Sequence, residues 1–170
     1  MPHRIVCADA GWEYDLDLSI GSGTFGSVWR ARRKNRQDGL SSEVALKFPR
    51  VGAADVLRQE IAVMKQLAHR GVVGCLDVIS EKDIRASTPD LRGPCLVMRS
   101  ADSDLKHFLD KRGVVGESLA REWCKQLADA VANVRFMGGG PQGHQAVEHL
   151  GVIRYDHREA GILVCDCRVG

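Results

Sequence analysis

The sequence predicts an α+β fold, a small antiparallel sheet carrying one helix and followed by a mostly helical part. Three observations lead there. Apolar and polar residues alternate in successive runs before residue 48, which is the period of half-buried strands. The apolar spacing then turns helical over residues 55–68. Two more apolar strands follow, and after them two helical stretches.

Residues 1–11 read as an N-terminal extension. Tyr14, Leu16, Leu18 and Ile20 alternate with polar neighbours and make the first strand. A glycine-rich turn leads into Ser27–Arg32, which alternates again, and Asp38-Gly39 in the polar stretch 34–42 is a hairpin signal. Val44-Ala45-Leu46-Lys47-Phe48 is the third strand, stopped by Pro49. Leu57, Ile61, Met64 and Leu67 share one face of an amphipathic helix, with Asp55 as its expected N-terminal cap. Val72–Ile79 reads as a fourth strand, Ser80–Pro94 as a polar loop holding Pro89 and Pro94, and Cys95–Met98 as a fifth strand. Leu105–Asp110 opens a short helix. Ser118–Met137 is a longer one, with Leu119, Trp123, Leu127, Ala130, Val131 and Val134 on one side. Gly138–Gly143 cannot hold regular structure, so residues 138–149 read as an insertion. Val152–Val164 holds two short apolar pieces around a charged turn.

Composition narrows the function classes. The chain has 170 residues, 44% apolar and 27% charged, which fits an ordinary globular domain with a core. A net charge of +2 is too small to make nucleic acid or a membrane surface the main partner. The basic cluster Arg30, Arg32, Arg33, Lys34 and Arg36 reads as a solvated strand face. The first residues lack the apolar core of a signal peptide, and no stretch approaches the roughly 18 apolar residues of a membrane span. The six cysteines form no CxxC pair, so they read as reduced thiols of an intracellular protein, cytoplasmic or nuclear. Cys165 and Cys167 lack partner ligands, and His144 and His149 give no zinc spacing, so no metal site is expected there.

The chemistry is carried by Gly21-Ser22-Gly23-Thr24-Phe25-Gly26-Ser27-Val28, a GxGxxGxV run. In a dinucleotide-binding Rossmann unit such glycines lead from a strand into a helix. Here they lead into another strand, which argues against that reading. A glycine loop between antiparallel strands lets backbone N–H groups approach phosphate oxygens. Lys47 follows on an apolar strand, where an unpaired ammonium is costly and needs an anion. Glu60, flanked by Leu57, Ile61 and Met64, is the candidate. Pairing Lys47 with Glu60 on one side and nucleotide phosphates on the other explains both residues. The bland alternative is a snorkelling lysine and a solvated glutamate.

From about Trp12 to Val164 the chain resembles the eukaryotic protein kinases, with some likeness to cyclin-dependent kinases. The glycine loop, the Val44-Ala45-Leu46-Lys47 strand and the helix glutamate stand in family order. His69-Arg70-Gly71-Val72-Val73 is similar to the family's link after that helix. The resemblance implies a five-stranded antiparallel N-lobe over 12–98, a hinge at 99–102, and an incomplete helical C-lobe over 103–170. It also implies that Ile20, Gly21, Ser22, Gly23, Thr24, Phe25, Gly26, Val28, Ala45 and Lys47 bind ATP. Met98 would be the gatekeeper and the Ala101 backbone would meet adenine. Asp104 would reach the ribose, and Leu163 would close the adenine site from below. The implied partners are ATP, Mg²⁺ and a protein substrate or protein partner. The implied reaction moves the γ-phosphoryl group to a serine or threonine.

The stretch Val152-Ile153-Arg154-Tyr155-Asp156-His157-Arg158-Glu159-Ala160-Gly161-Ile162-Leu163-Val164 resembles the family's catalytic loop. Asp156 stands at the catalytic aspartate, and Arg158 replaces a lysine that neutralises the transferring phosphate. Arg154 replaces the usual histidine or tyrosine, and Tyr155 the usual arginine. Gly161 stands where the family has an asparagine that ligates magnesium, and a glycine has no side chain to offer. No DFG aspartate occurs before Gly170; Asp166-Cys167-Arg168 has the wrong neighbours. The expectation is therefore a kinase fragment that is inactive as written, or a pseudokinase-type binding module, with an exposed apolar strip on the helix from Ser118 and poor solubility. The 13 positions from Lys47 to Glu60 are fewer than the family pattern and predict a short or outward-swung helix.

Overall fold

The computed structural model describes residues 4–7, 10–24, 26–88, 90–137, 152–156 and 161–165, those beyond Asn133 as backbone. Phe25, Arg158 and the 138–149 insertion lie outside the described residues. The described residues fall into two compact units, one drawn from Met1–Ala62 and Cys75–Ser100, the other from Val63–Gly74 and Ala101–Arg168.

The first unit is a six-stranded antiparallel sheet of β1 (Arg4–Cys7), β2 (Trp12–Gly23), β3 (Gly26–Asn35), β4 (Ser41–Pro49), β5 (Cys75–Ile79) and β6 (Cys95–Arg99), in the order β1-β2-β3-β4-β6-β5. It has one strand more than the five expected. Arg4–Cys7, assigned to an extension, pairs with β2 from Arg4↔Asp15 to Cys7↔Trp12. Ile5 and Cys7 of this strand point into the core. The sheet curls. In its strand order β3, β4 and β6 stand between β2 and β5, yet the Tyr14 hydroxyl on β2 donates to Asp77 Oδ2 on β5 at 3.2 Å. The curl encloses Ile5, Tyr14, Leu16, Val44, Leu46 and Val97.

Helix α1 (Ala54–Gln66) follows β4, and Leu57, Ile61 and Met64 are buried as the spacing required. It starts one residue before the expected cap. Asp55 therefore sits inside the first turn, where it pairs with Arg58 at 2.6 Å. The fourth strand is shorter than expected, beginning at Cys75 rather than Val72.

The largest correction concerns residues 80–94, expected to be a loop. They contain α2 (Glu81–Ser87). Ser80 caps it by accepting from the Asp83 N–H, acidic residues fill its first turn, and Arg85 its last. Its one large apolar residue, Ile84, is fully buried in the sheet core. Ser87 Oγ accepts from the Val6 N–H at 3.1 Å, which satisfies a donor on the outer edge of β1.

The basic cluster on β3 is mostly paired. Arg30 meets Asp17 at 2.6 Å, Arg36 meets Glu13 at 3.5 Å, and Arg33 stacks 3.5 Å over the Trp12 ring.

The second unit holds β7 (Ser103–Asp104), α3 (Leu105–Arg112), α4 (Glu117–Met137), β8 (Val152–Asp156) and β9 (Gly161–Cys165). β7, β8 and β9 form an antiparallel sheet. The exposed apolar strip expected on α4 is largely covered among the described residues. Trp123 packs edge-on against Phe108 of α3 at 5.7 Å, and Ala130 packs with Val63, Leu67 and Val72. Leu119 is the large apolar exception, at 36% exposure. The cover comes from within this unit, from α3, Val63 and the 67–73 segment. Among the described residues no helix is long and apolar enough to cross a membrane.

Candidate functional site

Residues Val44 to Phe48 of β4 are all buried, so both faces of this strand are covered. Alternation sends Val44, Leu46 and Phe48 into the curl of the sheet and Ala45 and Lys47 to the opposite face. Register then assembles that second face. Val28 and Leu96 lie opposite Lys47, Met98 lies opposite Ala45, and Gly21 lies opposite Val28. Val28, Ala45, Leu96 and Met98 are buried, and Ile20 is half-buried. Leu96 was not among the expected site residues. Its place beside Lys47 follows from strand register, which the sequence alone does not fix.

The glycine run is the closing end of the β2–β3 hairpin, where Ser22↔Ser27 and Gly23↔Gly26 pair and Thr24 is exposed at the tip. Its glycines have different reasons. A Cβ at Gly26 would lie 2.1 Å from the Phe48 carbonyl oxygen, so the sheet itself demands glycine there. A Cβ at Gly21 would meet only Val28 Cβ, at an ordinary 3.9 Å. Packing does not explain Gly21. Ser22 Oγ accepts from Arg50 at 3.4 Å.

Lys47 Nζ lies 2.7 and 2.6 Å from the two carboxylate oxygens of Glu60. The side chains are only 9% and 7% exposed, so this is a buried, two-pronged ion pair. The short-interval expectation is overturned here. α1 runs 13 residues, and the turn at Arg50–Ala53, with Gly52 at φ 84°, brings it back onto β4 early enough for Glu60 to reach. The pair sets a fixed positive donor, already desolvated, on the same sheet face as Gly21 and Val28.

Ala101, Asp104, Asp156 and Leu163 belong to the second unit. Asp104 caps α3, its Oδ1 accepting from the His107 N–H at 2.7 Å, so one carboxylate oxygen is already committed. Asp156 and Gly161 are cross-strand partners in the β8–β9 hairpin, and Leu163 is opposite Arg154. In the histidine-led link, His69 Nδ1 accepts from the Gly71 N–H at 3.1 Å and Nε2 lies 3.4 Å from Asp129. Among the described residues no cluster of acidic, histidine or cysteine side chains could hold a metal ion.

A curled antiparallel sheet with a glycine-tipped hairpin, a strand lysine locked to a helix glutamate, and helices beyond define a protein kinase-like fold. The chain belongs to the protein kinase domain family, whose model matches residues 14–136. Among its relatives, a CBL-interacting serine/threonine-protein kinase 16 of Arabidopsis thaliana is 28% identical over 123 residues, covering 70% of this chain and 24% of the relative. The cyclin-dependent kinase 12 of Drosophila melanogaster is 29% identical over 129 residues, covering 74% of this chain and 11% of the relative. A cell division protein kinase of Encephalitozoon cuniculi is 24% identical over 156 residues, covering 90% of this chain and 46% of the relative. The chain thus spans less than half the length of each of these relatives.

Proposed function

We propose that this chain binds ATP through the glycine hairpin and the face of the sheet that carries Lys47, and that it transfers phosphate poorly or not at all. The buried Lys47–Glu60 pair carries the reading. An ammonium this buried is retained at a desolvation cost of several kcal/mol per ion, roughly, and replacing such a pair by apolar side chains is often neutral or stabilising. A function that needs a fixed cation accounts for its presence.

The residues fit the nucleotide. Glu60 fixes the direction of Lys47 Nζ, which would set its positive charge toward phosphate oxygens. Gly21, Gly23 and Gly26 keep side chains away from the hairpin backbone, with Ser22 and Thr24 beside them. Ile20, Val28, Ala45 and Met98 would supply an apolar wall for the adenine; only the family resemblance gives the Ala101 backbone, Asp104 and Leu163 to the base and ribose. Bound ATP with Mg²⁺ would supply the γ-phosphoryl group. Asp156 would orient an attacking protein hydroxyl and accept its proton, and Arg158 would offset charge on the transferring phosphate. Magnesium fits less well. Gly161 offers no ligand where the family has asparagine, which is the observation favouring a second reading, a nucleotide- or partner-binding module without catalysis.

Thermal unfolding of the chain with increasing ATP and Mg²⁺ tests the proposal, since a ligand specific to the folded state raises the midpoint with concentration. The expected result is a concentration-dependent rise that Lys47→Ala abolishes, with phosphoryl transfer to a generic protein substrate at or near background. No rise in a folded sample would remove ATP from the function. Ready phosphoryl transfer would remove the pseudokinase reading.

A further inference from the structure

Residues 80–94 lie outside every functional assignment above, yet they touch the start of the helix that carries Glu60. The segment is firmly held. Ile84 is fully buried, Thr88 is 2% exposed, and Leu91 packs on the sheet core. It makes two contacts with the α1 region. Gly93 is buried with φ at 76°, and a Cβ there would lie 2.8 Å from Pro49 Cγ and 3.5 Å from Ala54 Cβ. Glu81 Oε2 lies 3.7 Å from Arg58 Nη2. Pro49 is also close to the hairpin, because it is the ladder partner of Gly26, where a Cβ would lie 3.3 Å from Pro49 Cα. The end of β4 therefore neighbours both Gly26 of the hairpin and Gly93 of this segment, with the first residue of α1 against the same Gly93.

We propose that the 80–94 segment is a built-in brace for α1, with Gly93 as the positioning residue that keeps Glu60 on Lys47. The geometry sets the sensitivity. Carbon atoms in contact sit about 3.5–4.0 Å apart, so a Cβ at Gly93 forces a displacement of about 1 Å between the segment and Pro49, and Ala54, already at contact distance, would be carried with that junction. Glu60 is six residues along the helix from Ala54, about 9 Å along its axis. A rigid shift of α1 by about 1 Å would carry the Glu60 carboxylate beyond direct hydrogen-bonding range of Lys47. The inference rests on the nucleotide-binding reading only for what the pair does; the brace itself can be read without nucleotide.

The test is acetylation footprinting of Lys47 with an N-hydroxysuccinimide acetate, read by mass spectrometry on the whole chain, alongside ATP titration. The unsubstituted chain should protect Lys47. Gly93→Ala, checked for folding by circular dichroism, should speed Lys47 acetylation and weaken ATP binding, each by about tenfold, the scale of one charged hydrogen bond. Pro49→Ala added to Gly93→Ala removes the atom that clashes but leaves the strain of an alanine at φ 76°, so it should restore part of the protection, whereas a merely destabilised fold would not recover. Should Gly93→Ala fail to fold, the exposed variant Glu81→Arg replaces it. It should raise Lys47 acetylation about twofold, within the range of an exposed ion pair, and Arg58→Glu added to it should reverse the effect. Unchanged acetylation of Lys47 in the folded variant, or failure of the paired substitution to restore it, would overturn the brace. Absence of ATP binding by the unsubstituted chain would remove the nucleotide reading and leave footprinting to decide the brace.

Discussion

Glu60→Ala probes the centre of the site. The substitution leaves the Lys47 ammonium, on a side chain 9% exposed, without the two oxygens now 2.6 and 2.7 Å from it. Removing one member of a buried pair costs about 3–5 kcal/mol, because the other charge stays desolvated. A whole domain is stable by only about 5–15 kcal/mol, so a large share of the stability is at stake. In urea, where the free energy falls by about 1–3 kcal/mol per molar, the unfolding midpoint should drop by about 2 M. The double substitution Lys47→Met with Glu60→Leu removes both charges and keeps apolar bulk. It should unfold close to the unsubstituted chain, while losing nucleotide binding altogether. The pair is thus expected to be a cost to the fold that only a ligand justifies. A loss below about 1 kcal/mol for Glu60→Ala would place the pair among ordinary exposed ion pairs and refute the argument from burial.

Two further results follow from the geometry. Gly21→Ala should change stability by less than about 0.5 kcal/mol, since its Cβ meets only Val28 Cβ at 3.9 Å, yet weaken ATP binding. Gly26→Ala should cost about 3 kcal/mol or more, because its Cβ would lie 2.1 Å from the Phe48 carbonyl oxygen. Denaturant melts and ATP titration of the two variants separate these effects, and equal losses of stability would contradict the packing difference. The fold should also weaken in alkali. Burial first, then Asp83 and Asp77, push the Cys7 thiol up from 9.0 to about 12, and burial and Asp77 also raise the Tyr14 phenol. The folded state keeps these protons while the unfolded chain releases them near the ordinary values. The contribution of these groups should thus be level below pH 9.0 and be lost as the pH approaches about 12. Tyr14→Phe should flatten that fall while costing about 1 kcal/mol at neutral pH through the lost bond to Asp77.

The parts of the fold legible in the sequence are those whose pattern is local and long. β4 announces itself by five apolar-flanked residues ended by proline, and α1 by Leu57, Ile61 and Met64. The Lys47–Glu60 pair could be anticipated because a cation in an apolar strand needs a counter-charge, and Glu60 was the acidic residue beside the buried stripe. Local pattern fails where a single long-range contact decides. Arg4–Cys7 is four residues long, and it is a strand only because β2 is there to receive it. α2 carries a lone buried isoleucine, so it has no apolar period, and its two nearby prolines suggested a loop. The missed signal was Ser80 three residues before Asp83, a capping pattern that outweighs the prolines because both lie beyond the last helical residue. Sequence also treats Gly21 and Gly26 as one motif, whereas the carbonyl of Phe48 makes the second a requirement of packing.

The same separation of packing from chemistry bears on Gly161. Glycine inside a strand weakens it, having no side chain to pack and more freedom to lose. Even so, the β8–β9 ladder keeps a continuous register, from Val152↔Cys165 through to Asp156↔Gly161. A substitution that damaged the loop's architecture would be expected to break pairing at its own position, and here the pairing reaches Gly161 itself. If, as the family resemblance implies, position 161 is that of a magnesium-ligating asparagine, what it lacks is a donor atom, since the β9 backbone still pairs there. Restoring the donor should accordingly need no rebuilding of the hairpin. Gly161→Asn exchanges one poor strand former for another opposite Asp156, so it should leave the unfolding midpoint within a few degrees of the unsubstituted chain. A different magnesium dependence of ATP binding in that variant would mark the site as one that lost a ligand. An unchanged dependence, with the fold intact, would mean that position 161 has no part in holding the metal.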